Sequence, residues 1–81
     1  MDHFHEPVRI VLGTPARLME LRTAIEAADT LENWWPTLRG KWYFAAREAC
    51  RAAGEGKASV HIARRMFLYA ATESRISLVP D

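Results

Sequence analysis

The stretch from Trp34 to Ala71 constrains this chain most, because its punctuation leaves room for two helices and little else. Pro36 closes the segment before it, since proline disfavours helix in the preceding residue. Gly54 and Gly56 close the next one, since glycine reaches the left-handed conformation that a helix C-terminus uses. Ser59 then offers a hydroxyl to the free N–H groups of a new helix start. Between these marks the spacing predicts one helix over about Lys41–Ala53 and another over about Val60–Ser74. Trp42, Ala46, Ala49, Cys50 and Ala53 share one face of the first, with Arg47, Glu48 and Arg51 opposite. In the second, Ile62, Ala63, Met66, Phe67, Ala70 and Ala71 point inward, and Arg64, Arg65, Thr72 and Glu73 point out.

Upstream, Pro7–Leu12 is a β-branched run with Val8, Ile10 and Leu12 on one face, which predicts a strand. Gly13-Thr14-Pro15-Ala16 carries turn residues. Residues 16–22 fit either a return strand or the start of one long helix from Pro15. Thr23 and Glu26 favour the strand, because they match a capping box that starts a helix at Thr23. The first helix then covers about Ala24–Trp35, with Ala24, Ala27, Ala28, Leu31, Trp34 and Trp35 on its apolar stripe. Ile76–Val79 alternates weakly, enough for a short last strand. The expected fold is a small single α+β domain over residues 7–79: an N-terminal β-hairpin, three helices and a short C-terminal strand. Residues 1–6 are expected to form a flexible arm.

A chain of 81 residues buries only roughly 60% of its unfolded surface, so stability is modest unless something adds to it. The single cysteine, Cys50, rules out an intrachain disulfide and suits a reducing cytosol. Nothing approaches the ~20 apolar residues of a membrane span, and the first residues lack the apolar core of a signal peptide. A cytoplasmic, soluble protein is expected.

The net charge of +1 hides an asymmetry. Residues 1–38 carry three arginines against six acids, whereas residues 39–65 carry seven basic residues against Glu48 and Glu55. The overall balance is far from the strongly basic domain of a dedicated DNA binder. Arg39, Arg47, Arg51, Lys57, Arg64 and Arg65 could still contact phosphates; the plainer reading is a solvated face with pairs such as Glu48 and Arg51, or an ion pair from Arg64 to the acidic first helix.

Other chemistry is weaker. His3 and His5, with Asp2, Glu6 or His61, lack the three or four convergent ligands a zinc site needs. Cys50 lies among alanines, where a thiol is structural rather than nucleophilic. Gly54-Glu55-Gly56 lacks the Lys-Ser/Thr of a phosphate loop. No catalytic residue, cofactor or metal is expected, and the chain is not expected to be an enzyme.

The order Pro7-Val8, Glu26-Ala27-Ala28, Leu31, Trp35-Pro36, Tyr43, Ala46, Cys50, Ala53, Gly56, Ser59, Ala63-Arg64, Phe67, Ala70-Ala71 and Ile76 resembles domain-of-unknown-function family 982, small bacterial proteins frequent in rhizobia and their relatives. The resemblance implies a hairpin leading into helices. It brings no activity and no catalytic residues, because the family has no assigned biochemical function. The doubled Trp34-Trp35 and the additional Trp42 depart from the family pattern.

Three tryptophans are more than so small a core can hold, so Trp34 or Trp42 is expected to be partly exposed. The expected role is a non-catalytic protein-interaction or regulatory module, a homodimer or a partner of another protein. Its candidate surface is Trp34, Trp42, Arg64 and Arg65. The alternative is a weak nucleic-acid binder using residues 39–65.

Overall fold

The computed structural model describes residues 2–37 and 39–80. Strands β1 (His3–Leu12) and β2 (Arg17–Thr23) form an antiparallel hairpin, and helices α1 (Ala24–Asn33), α2 (Lys41–Gly54) and α3 (Val60–Glu73) follow. A two-residue β3 (Ser77–Leu78) returns to the other edge of β1, giving sheet order β2-β1-β3. The α+β reading therefore holds, and residues 17–22 are strand rather than helix. The turn between β1 and β2 uses Gly13 at φ +95°, a conformation that favours glycine, and a cis peptide at Thr14–Pro15.

One expectation fails at the N-terminus. Residues 3–6 are not a flexible arm but the first part of β1, and the Phe4 side chain is buried in the core. His3 pairs with Thr23 and Val8 with Leu21, so four residues of β1 oppose Arg22 alone. Such a bulge bends the strand. Asp2 then reaches the start of α1, where its carbonyl accepts from Ala24 N–H at 2.9 Å and its carboxylate from Ile25 N–H at 3.0 Å. Met1 lies outside the described residues.

Local signals set the helix starts. Thr23 Oγ1 accepts from Glu26 N–H at 3.1 Å. The Glu26 carboxylate reaches back one residue further than a standard capping box, to Arg22 N–H at 2.7 Å. Ser59 Oγ accepts from Ile62 N–H at 3.2 Å. α2 has only Gly40 at its N-cap and no side-chain cap there. Its free N–H groups are satisfied from α3 instead: the Glu73 carboxylate accepts from Gly40, Trp42 and Tyr43 N–H, each at 3.2 Å. Glu73 was expected to face solvent; this capping task draws it inward.

The helix ends share one device. At α2, Lys57 N–H bonds Ala52 C=O and Gly56 N–H bonds Ala53 C=O, with Gly56 at φ +76°. At α3, Ile76 N–H bonds Ala71 C=O and Arg75 N–H bonds Thr72 C=O, with Arg75 at φ +58°. Both are Schellman motifs, but the second places an arginine where glycine is favoured. α1 ends at Asn33, two residues before the predicted Trp35, and Trp34 serves as its C-cap.

Val8, Ile10 and Leu12 of β1 and Leu21 of β2 cover one side of the core. Ala24, Ala27, Ala28 and Leu31 of α1 and the small-residue faces of α2 and α3 fill the rest. Trp35 sits among them, with its indole N–H donating to Ser74 Oγ at 3.0 Å and its ring edge-on to Phe67 at 5.3 Å. The buried face of α2 is Tyr43, Ala46, Cys50 and Ala53, so Tyr43 takes the central place expected for Trp42. The Tyr43 hydroxyl donates to Leu31 C=O at 2.9 Å, which satisfies both buried groups. Ile62 is half exposed, contrary to expectation, because it lies at the rim of the Ala63–Phe67–Ala70 stripe. Among the described residues no helix is long and apolar enough to cross a membrane.

Candidate interaction surface

Pro36 forces Trp35 out of helical conformation, and the two adjacent indoles part company there. Trp35 turns into the core, whereas Trp34 is 58% exposed. Trp34 lines an open groove of about 300 Å³ together with Leu12, Pro15, Leu18 and Met19 from the hairpin. Leu18 is 63% exposed and borders the same groove from the edge strand, so the two most exposed large apolar residues among the described residues adjoin it. Scattered apolar side chains on a surface are ordinary; adjoining ones mark contact sites. Arg17 lies at the same groove, and Gly13 and Thr14 shape it through the turn.

Trp42 stands elsewhere. It is half-buried, its ring centroid is 4.7 Å from that of Tyr69 on α3, and the Lys41 ammonium lies 5.2 Å from its centroid. Arg64 is held against β1, where its Nε donates to Glu6 C=O at 2.9 Å. Arg65 is exposed on α3. The four residues singled out by sequence thus have separate surroundings, and Trp34 alone of them lines the hairpin groove. Leu18 and Met19 are the partners that sequence reasoning missed. Their signal was an apolar pair on a strand next to a turn, which looks the same as core.

The basic segment is likewise dispersed. Arg51 pairs with Glu32 of α1 at 2.6 Å rather than with Glu48. Both groups are well exposed, so this contact adds little stability. The Arg39 and Arg47 guanidinium groups lie 4.6 and 5.8 Å from the centroid of the Tyr43 ring. Arg51 therefore turns toward α1 and Arg64 toward β1, and the arginines do not form one stripe.

The remaining candidates for chemistry are structural in their surroundings. Cys50 is fully buried, its Sγ lies 3.7 Å from Ala63 C=O, and burial pushes its thiol up to about 12. A reactive thiol needs the opposite shift. The His5 and His61 rings approach to 5.2 Å, and His5 Nε2 is 3.7 Å from the Glu6 carboxylate. Among the described residues no three His, Cys, Asp or Glu side chains converge as metal ligands.

A family model described as a protein of unknown function (DUF982) matches residues 6–78. No curated protein and no solved structure matches.

Proposed function

The chain belongs to the DUF982 family, and on that premise we propose that it is a small non-catalytic module that works through protein–protein contact, as a homodimer in the cytoplasm. The observation that carries this reading is the exposed Trp34 at an apolar groove lined with Leu12, Pro15 and Met19, with the exposed Leu18 bordering it on the edge strand. A tryptophan in a groove is the typical anchor of an interface, where a few aromatic residues dominate the energetics. The inert setting of Cys50 favours a binding role over a nucleophilic one. A single buried thiol with no disulfide partner suits the reducing cytoplasm.

The test is the solution mass by light scattering at low and high salt. A dimer at both is expected, because an apolar interface is insensitive to screening. Trp34→Ala should weaken it at least tenfold, on the order of 1.4 kcal/mol or more. A monomer at high micromolar concentration would overturn the homodimer.

A further inference from the structure

The second face of the hairpin is its free edge. Arg9 C=O accepts from Val79 N–H at 2.9 Å, so the Arg9 backbone faces the β3 side. Arg9 pairs with Glu20 on β2. Opposed residues in an antiparallel ladder either face each other or both face away. The Glu20 backbone therefore points out of the sheet, as do those of Leu18 and Arg22 by the two-residue period. The Arg22 N–H is already taken by the Glu26 carboxylate. The N–H and C=O groups of Leu18 and Glu20 remain, with no backbone partner among the described residues.

We propose that this edge pairs antiparallel with the same edge of a second copy, about a twofold axis beside Met19. This deepens the homodimer reading and rests on it. Leu18 of each copy then exchanges both backbone hydrogen bonds with Glu20 of the other, which uses every open group and needs no Arg22 N–H. The register is fixed from both sides. Shifting it by two toward the C-terminus would require the blocked Arg22 N–H and would set Glu20 directly against Glu20. Shifting it by two toward the turn leaves the Glu20 groups opposite Ala16, outside β2. In the favoured register Met19 meets Met19 on the groove side of the sheet, next to Trp34 of each copy. Leu18, the most exposed large apolar side chain among the described residues, then stands directly beside Glu20 of the second copy on the opposite face of the sheet.

Charge does not oppose this approach. Glu20 already accepts from Arg9 Nε at 2.9 Å and is bridged by Arg22, so its carboxylate arrives neutralised. Exposed edges of this kind are templates for further strands unless something stops them. Here the Glu26–Arg22 contact stops pairing at one end and the turn stops it at the other, which selects a closed pair rather than a growing sheet.

The experiment uses the intact chain and charge variants at the twofold position. Met19→Lys and Met19→Glu should each raise the dimer dissociation constant at least tenfold, and mixing them one to one should restore a dimer containing one of each. Leu18→Pro removes an outward N–H without touching the β1 ladder and should also give a monomer. Amide exchange at Leu18 and Glu20 in the unaltered protein should slow as concentration rises. A dimer that survives Met19→Lys and Leu18→Pro, with concentration-independent exchange at Leu18 and Glu20, would overturn this edge while leaving the homodimer intact. A monomeric unaltered protein would overturn both, and an edge found to take a strand from another protein instead would overturn the self-pairing.

Discussion

Glu73 joins the end of α3 to the start of α2, and its removal tests how much of the stability depends on that joint. Its carboxylate accepts from three N–H groups, each at 3.2 Å. Charge-assisted bonds are usually nearer to about 2.8 Å, so these act jointly rather than as three full-strength contacts. Losing an N-cap costs about 0.5–2 kcal/mol, and losing an anion at a helix start adds about 0.3–1 kcal/mol. Glu73→Ala should therefore cost about 1–3 kcal/mol by this sum. For a domain of this size that lowers Tm by about 5–20 °C. Glu73→Gln keeps one acceptor oxygen and should cost about 1 kcal/mol.

Gly40 supplies the control. A Cβ there would collide with the Glu73 carboxylate, although φ −105° at Gly40 is open to alanine. Gly40→Ala should thus be costly in the unaltered chain and much cheaper in Glu73→Ala. Urea denaturation of all four proteins gives the coupling, expected at about 1–2 kcal/mol for groups in direct contact. Additive effects, or a Glu73→Ala cost below about 0.5 kcal/mol, would refute the capping account.

Two further outcomes follow from local geometry. Arg75→Gly should stabilise the fold by about 1 kcal/mol in chemical denaturation, because it relieves a left-handed arginine in a motif that α2 completes with Gly56. For Cys50, the thiol is protonated in both states below the unfolded value of 9.0. Above it the unfolded chain releases a proton that the folded chain holds to about 12, so stability falls across that window. The slope is about 1.4 kcal/mol per pH unit from this group. Cys50→Ala should remove that share of the decline, and parallel pH profiles for the two proteins would count against the buried thiol.

What could be read from the sequence was what neighbours in the chain decide. Thr23 with Glu26, Ser59 and Gly56 each act within a turn of themselves, and each sits where its chemistry demands. The misreadings involve distance. Phe4 lies before the bulge and is in phase with Val8, but the exposed Glu6 interrupts the apolar alternation between them. Glu73 looks like an outward residue until α2 presents its bare N-terminus some thirty positions away in the chain. Trp34 and Trp35 both fit the stripe of α1, and only the effect of Pro36 on the residue before it separates them. That separation puts Trp34 over the hairpin, a juxtaposition created by the turn at Gly13 and Pro15 rather than by any motif.

The meeting of α2 and α3 has an uneven mutational character. Ala46, Cys50, Ala53, Ala63, Ala70 and Ala71 are all buried, and the Cys50 sulfur already touches the backbone carbonyl of Ala63. Such side chains have almost nothing to lose, so truncation there opens little space. Growth has nowhere to go, and a single added branch must pry the helices apart. Drift along that seam thus meets a modest helix-propensity cost of about 1 kcal/mol on shortening an alanine to glycine and a steeper one on enlargement, while the exposed side chains of the hairpin groove can change without disturbing it.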